Sequence, residues 1–136
     1  MSRAIQKAII ARFDGDVGAG TVYAAVGGRL YYAEAPEEET RPYIVFTVID
    51  LVTDMTFASN LIRARVQFDI WDEDPEPNDV NDIAVKLKTR FHRTALTYAD
   101  ADYTAVGCVL ESQVGPMREG AYWRVSADYM VHAQET

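Results

Sequence analysis

Apolar residues recur at Ile5, Ile9 and Phe13, on one stripe at i, i+4 and i+8, and predict an amphipathic helix that Ser2 could cap. Arg3, Lys7 and Arg12 lie off that stripe, facing water or a partner. The helix is expected to stop near Asp14, because Gly15, Gly18 and Gly20 follow and each lowers helix stability. After Gly27-Gly28, the run Arg29-Leu30-Tyr31-Tyr32 reads as a short strand that Pro36 ends. Residues 43–51 form an apolar run with Ile44, Phe46 and Val48 on one face and Tyr43, Val45, Ile49 and Leu51 on the other. Such a strand is buried on both sides, or its second face meets another subunit. Residues 54–60 then read as a long hairpin connection with Met55 and Phe57 near its tip.

The clearest strand covers residues 61–71. Ile62, Ala64, Val66, Phe68 and Ile70 alternate with Leu61, Arg63, Arg65, Gln67, Asp69 and Trp71, giving one core face and one mostly polar face. Asp72-Glu73-Asp74-Pro75-Glu76-Pro77 breaks it, and a second helix begins at about Asn78. Its stripe is Val80, Ile83, Ala84, Leu87 and Phe91, with Asp79 and Asp82 early and Arg90 and Arg93 late, as the helix dipole favours. Two strands remain. Thr104, Val106, Cys108 and Leu110 share one face of the first; Trp123, Val125, Ala127, Tyr129 and Val131 share one face of the second. A connection through Gly115-Pro116 and Gly120 makes them an antiparallel hairpin. The predicted fold class is α+β: a mainly antiparallel β-sheet with two helices packed on one face, in the order α-β-β-β-α-β-β. Residues 1–136 are expected to form a single domain.

Charge narrows the partners. Thirteen Lys and Arg stand against 21 Asp and Glu, for a formal net charge of −8. That balance argues against gripping nucleic acid through its phosphates, which needs clustered cations. No apolar stretch approaches the ~18 residues of a membrane span, and the apolar run near the N-terminus is too short for a signal-peptide core. The lone Cys108 supports no internal disulfide. Taken residue by residue, the chain reads as an acidic, soluble, intracellular domain.

Candidate chemistry is sparse. His92, at the end of the second helix, reads as a structural or surface residue, and so does His132. Cys108, between apolar neighbours on its strand face, reads as a small buried hydrophobe rather than a thiolate. The glycines at 15, 18 and 20 have the spacing G-x-x-G-x-G after a helix, with no Gly-Lys-Ser/Thr, so they read as a connection and not a phosphate loop. An EF-hand counted from Asp14 would need a glutamate where Ala25 stands. The acidic runs Glu37-Glu38-Glu39 and Asp72-Glu73-Asp74 read as solvated charge before they read as a metal site. Neither a cofactor nor a catalytic group is predicted. Large apolar side chains outside the core, at Met55, Phe57 and Trp71, are candidate contacts with another subunit or partner.

The layout resembles a family. The residues that carry the resemblance are the N-terminal helix, the glycine-rich turn, Gly28-Arg29-Leu30-Tyr31, Ala35-Pro36, and Arg41-Pro42-Tyr43-Ile44-Val45-Phe46. Further along come Arg65-Val66-Gln67-Phe68-Asp69-Ile70-Trp71, the second helix, and Tyr122-Trp123-Arg124-Val125 in the last hairpin. Together they are similar to the tail-completion proteins of long-tailed bacteriophages, also called tail terminators or tail-to-head joining proteins, over nearly the whole chain. The Asp72–Pro77 stretch is more acidic and proline-rich than that family leads one to expect.

The resemblance implies a structural virion protein, assembled in the host cytoplasm. It would form a homo-oligomeric ring, expected to be a hexamer, at the head-proximal end of the tail tube. There it would end tube polymerisation and join the tail to the head connector, without catalysis, cofactor or membrane. Its partners would be itself, the tail tube protein and the neck proteins, with DNA passing through without specific binding. Six copies at −8 each would carry about −48 formal charges. Acids facing the channel would let DNA slide, and Glu37, Glu38, Glu39, Asp72, Glu73 and Asp74 are the candidates for the channel or end surface. Competing readings are a head-closure or neck adaptor protein, a regulatory module binding a small ligand at residues 15–20, and, third, an enzyme using His92 or Cys108.

Overall fold

The computed structural model describes residues 2–36, 40–55, 60–73, 78–98 and 102–135. Three helices and five strands follow in the order α1 (Ser2–Asp14), α2 (Val22–Ala25), β1 (Leu30–Tyr32), β2 (Tyr43–Met55), β3 (Asn60–Asp72), α3 (Asn78–Phe91), β4 (Tyr103–Glu119) and β5 (Tyr122–Glu135). The strands form one sheet in the order β1-β2-β3-β5-β4. Only the short β1–β2 pair is parallel; β2–β3, β3–β5 and β4–β5 are antiparallel. This is the α+β fold expected, with one helix more.

The helices lie on one face, and the predicted stripes point into it. Ile5, Ile9 and Phe13 of α1 and Val80, Ile83, Ala84, Leu87 and Phe91 of α3 are all buried. They meet Ile44 and Phe46 of β2, Ala64 to Ile70 of β3 and Val125 to Val131 of β5 in one core cluster. Phe68 is its hub, with ring centroids 5.8 Å from Phe46 and 5.3 Å from both Phe91 and Tyr129. Such offset and edge-on aromatic pairs add about 0.5–1.5 kcal/mol each beyond their buried area. Among the described residues no helix is long and apolar enough to cross a membrane.

The glycine segments are more ordered than a bare connection. Asp16 Oδ1 accepts the Gly18 amide at 3.1 Å, and Thr21 caps α2 by accepting the Ala24 amide at 3.3 Å. The far end of α2 closes in a Schellman arrangement: the Gly28 amide donates to Tyr23 O at 2.9 Å and the Gly27 amide to Ala24 O at 3.3 Å. Gly27 sits at φ 59°, where a side chain would be strained. The sequence reading missed this four-residue helix because it is too short to show periodicity.

Four other expectations are corrected. Strand β2 does not end at Leu51: Asp54 pairs with Leu61 and Met55 with Asn60, so the connection shrinks to residues 56–59. A bulge at Ile49, between Val48 and Asp50, moves Leu51 onto the face of Ile44 and Phe46. Ile49 and Leu51 are both exposed, so the strand is not buried on both sides. On β4, a bulge at Val106 separates its side chain from the Cys108 face and leaves it exposed. Lastly, Gly115-Pro116 lies inside β4 as a further bulge, and the turn is the pair Gly120-Ala121 alone. Gly120 at φ 60° opens that two-residue turn, as type II′ geometry requires.

Candidate interaction surface

The sheet face opposite the helices carries no layer among the described residues. At one end it presents a row of rings and guanidinium groups. Tyr43 of β2 pairs with Trp71 of β3, and Trp71 with Arg124 of β5. The Arg124 guanidinium stands 5.3 Å from the Trp71 ring centroid and is held by Glu119 at 3.2 Å. Arg41, just before β2, reaches across to lie 3.8 Å from the Tyr122 ring centroid and 5.6 Å from that of Tyr43. Tyr31 meets Tyr43 edge-on at 6.2 Å. Next to this row, Gln67 Nε2 donates to Ser126 Oγ at 2.6 Å and to Asp69 Oδ1 at 3.2 Å. Arg63 and Arg65 follow, both exposed.

Each predicted contact residue has a definite place or falls outside the description. Trp71 lies on the open face, half-buried under Arg124. Met55 belongs to the last residue pair of the β2–β3 ribbon. Phe57, Glu37, Glu38, Glu39 and Asp74 lie outside the described residues. Asp72 and Glu73 part company. Glu73 is exposed, whereas Asp72 is buried on the helix side, where its Oδ1 accepts the Glu73 amide at 2.8 Å. Asp72 helps line a cleft of about 420 Å³ with Pro42, Asp79, Asp82, Ile83 and Lys86. Among the described residues no three His, Cys, Asp or Glu side chains are grouped to hold a metal ion.

The groups weighed for catalysis serve the fold. His92 Nδ1 accepts the Leu110 amide at 2.9 Å, so its lone pair supports strand β4. Arg93 N donates to Cys108 O at 2.7 Å beside it. Burial pushes the Cys108 thiol up to about 12, with Arg12 opposing the shift, which leaves the sulfur protonated and a poor nucleophile. A small cavity of about 180 Å³ touches the glycine segment through Asp16, Gly20 and Thr21, with Lys86, Thr89 and Arg90 opposite. The Gly18 amide and the Thr21 hydroxyl next to it are already committed to local bonds.

Arg12, expected to face water or a partner, instead joins α1 to Arg90 in the last turn of α3. Arg12 Nε donates to Arg90 O at 3.0 Å and Arg90 Nε to Arg12 O at 2.8 Å, so each C-terminus is capped by the other's cation. Burial, then the Arg90 charge, lowers the Arg12 guanidinium below its ordinary value. Gly15 leaves room for this clasp, since a Cβ there would stand 2.7 Å from Arg90 Nη2. Sequence reading also missed Arg41, Tyr122 and Arg124 as one unit. The available signal was an arginine two residues before the Tyr43 strand and a second beside Tyr122, but the cross-strand register that unites them is not local.

A family model described as tail completion protein gp17 matches residues 7–132. No curated protein matches. Among solved structures the chain is similar to one in the virion of a native gene transfer agent particle. That likeness has a TM-score of 0.81 at 14% identity and covers 97% of this chain and 96% of that one, which is a likeness of fold. The family match runs from within α1 to near the end of β5 and so takes in every strand of the sheet and the helices that cover it. The chain therefore belongs to the tail completion protein gp17 family and is a structural component of a phage virion tail.

Proposed function

We propose that this protein closes as a ring, a hexamer, on the head-proximal end of the tail tube, where it ends polymerisation and joins the tail to the head connector. The observation that carries the reading is the uncovered sheet. Seven of the nine large apolar side chains exposed among the described residues stand on strands β2, β3 and β4. A sheet with an open face, open margins and apolar side chains on them is built to meet other protein. Family membership supplies the tail, and the full-length likeness to a chain of a virion particle agrees with it. Residues 1–136 act as one unit in this role, and the role needs no catalysis.

Trp71, Met55 and Phe57 belong to the contact surfaces in this reading. Glu73, with Glu37, Glu38, Glu39 and Asp74, supplies negative charge to the channel or the end surface, over a screening length of about 10 Å at 0.1 M salt. Asp72 is left out, because its carboxylate is turned into the helix side. Electron microscopy of tails assembled with and without the protein tests the role. Without it, tubes are expected to exceed their normal length and to lack heads; added back, it should sit at one end only. Tubes of normal length in its absence would reject the terminator role, and binding to filled heads before tails would favour the neck adaptor.

A further inference from the structure

The clasp between α1 and α3 sets two cations side by side. Arg12 Nε and Arg90 Nε are each spent on the other's carbonyl, at 3.0 and 2.8 Å. Their Nη donors are left over, and among the described residues no acceptor takes them. Among the described residues, too, no carboxylate forms an ion pair with either guanidinium. Burial, then the Arg90 charge, lowers the Arg12 guanidinium, so the two cations act on each other. Each helix C-terminus carries about half a negative charge, so the two ends offset about one positive charge and leave about one on the pair.

A cavity of about 150 Å³ opens beside the clasp, lined by Ala8, Ala11 and Arg12 of α1, Arg90 of α3, and Thr97 on the segment after α3. Ala8 and Arg12 are four apart and share a face of α1, so a longer side chain at position 8 would take up this space. None of the lining residues is acidic, whereas a second cavity that also touches Arg90 holds Asp16 with Lys86. Pockets for drug-sized ligands run to about 300–1,000 Å³. This one has room for a single small ion.

We propose that the cavity binds one small tetrahedral oxyanion, of the phosphate or sulfate kind, between Arg12, Arg90 and Thr97. Donors from three segments surround the same space: a guanidinium on α1, a guanidinium on α3 and the Thr97 hydroxyl beyond it. A tetrahedral anion has enough oxygens to meet all three at once, whereas a carboxylate has two. Bound there, it turns a repulsive pair into a bridge and ties the end of α1 to the end of α3. Neither the ring nor the tail enters this inference.

Thermal unfolding of the full chain in phosphate and in chloride at matched ionic strength tests it, together with the Nε–H resonances of the two arginines. With a Kd of about 1 mM, 10 mM phosphate favours the folded state about elevenfold and lifts the midpoint by about 5 °C over chloride. The Nε–H signals of Arg12 and Arg90 should shift over the same phosphate range. Ala11→Glu keeps both arginines and brings a tethered carboxylate to the cavity, so its midpoint should be the same in both buffers. Arg12→Gln should lose the response as well. General stabilisation by excluded salts would reach every variant alike.

Equal wild-type midpoints in phosphate and chloride overturn the site, as does a phosphate shift that survives intact in either variant. If Arg12→Gln loses its fold by circular dichroism, Ala11→Glu and the wild-type signals decide alone. Two further ligands separate the sources of such a group. Tighter binding of AMP than of phosphate overturns the free ion as the ligand, and an equal effect of acetate overturns the tetrahedral preference.

Discussion

Ala33 shows how a single residue can hold reserve stability. It follows β1 at φ 68°, a left-handed conformation that costs a residue with a Cβ about 1 kcal/mol, while its amide donates to Phe46 O at 2.9 Å. Ala33→Gly relieves the strain and keeps the bond, so thermal unfolding should move up by about 3 °C. The core carries a second residue-scale consequence. Burial pushes both the Cys108 thiol and the Tyr98 hydroxyl up to about 12, and raises Tyr129 as well. The folded state thus favours the neutral, protonated form of each. That contribution is complete below the thiol's ordinary value of 9.0 and is lost as the pH rises from there through about 12. Denaturant melts at pH 7, 9 and 10.5 should show falling stability above pH 9, and Cys108→Ala should flatten the fall. The native thiol should also resist alkylation at pH 8 until the protein unfolds.

At the scale of elements, β4 depends on one glycine. Gly115 has φ 108°, and a Cβ there would lie 2.7 Å from Arg124 O. Gly115→Ala is therefore expected to cost about 2 kcal/mol or more, read as a lower denaturation midpoint with unchanged slope. The same site explains what was legible in the sequence. Helices α1 and α3 and strand β3 could be read directly because burial imposes an unbroken period on Ile5-Ile9-Phe13, Val80 to Phe91 and Ile62 to Ile70. Strands β2 and β4 were misread where a bulge changes the period, and Gly115-Pro116 looked like a turn because glycine and proline punctuate both. The Arg12–Arg90 clasp and the Arg41 row join residues far apart in the chain. No local pattern encodes such pairs, so only the packed structure reveals them.

For the whole molecule, the open sheet predicts that assembly and folding can be separated. Phe57→Asp is expected to weaken oligomerisation while leaving the monomer's thermal transition within about 2 °C of wild type, measured by sedimentation and calorimetry. An unchanged oligomer would remove the β2–β3 connection from the subunit contact. Family and tail role were legible because the Gly28-to-Tyr31 and Arg41-to-Phe46 segments are fold positions. The contact residues were harder to find, because exposed apolar positions acquire meaning only once the sheet shows which margins are free. The bulges of β4 have one more consequence, for how such chains can change in length. Seventeen residues lie opposite fourteen, and the extra residues invert which positions share the helix-side face: Cys108 and Leu110, then Gln113, then Arg118. Deleting Val106 or Glu111 would remove the unpaired residue and leave every paired position on its own face, whereas deleting a residue between two bulges would turn over the positions from there to the next bulge, like a frameshift within the strand. Relatives that differ in length within this strand should therefore gain or lose residues at the bulges, with the pattern of faces on either side unchanged.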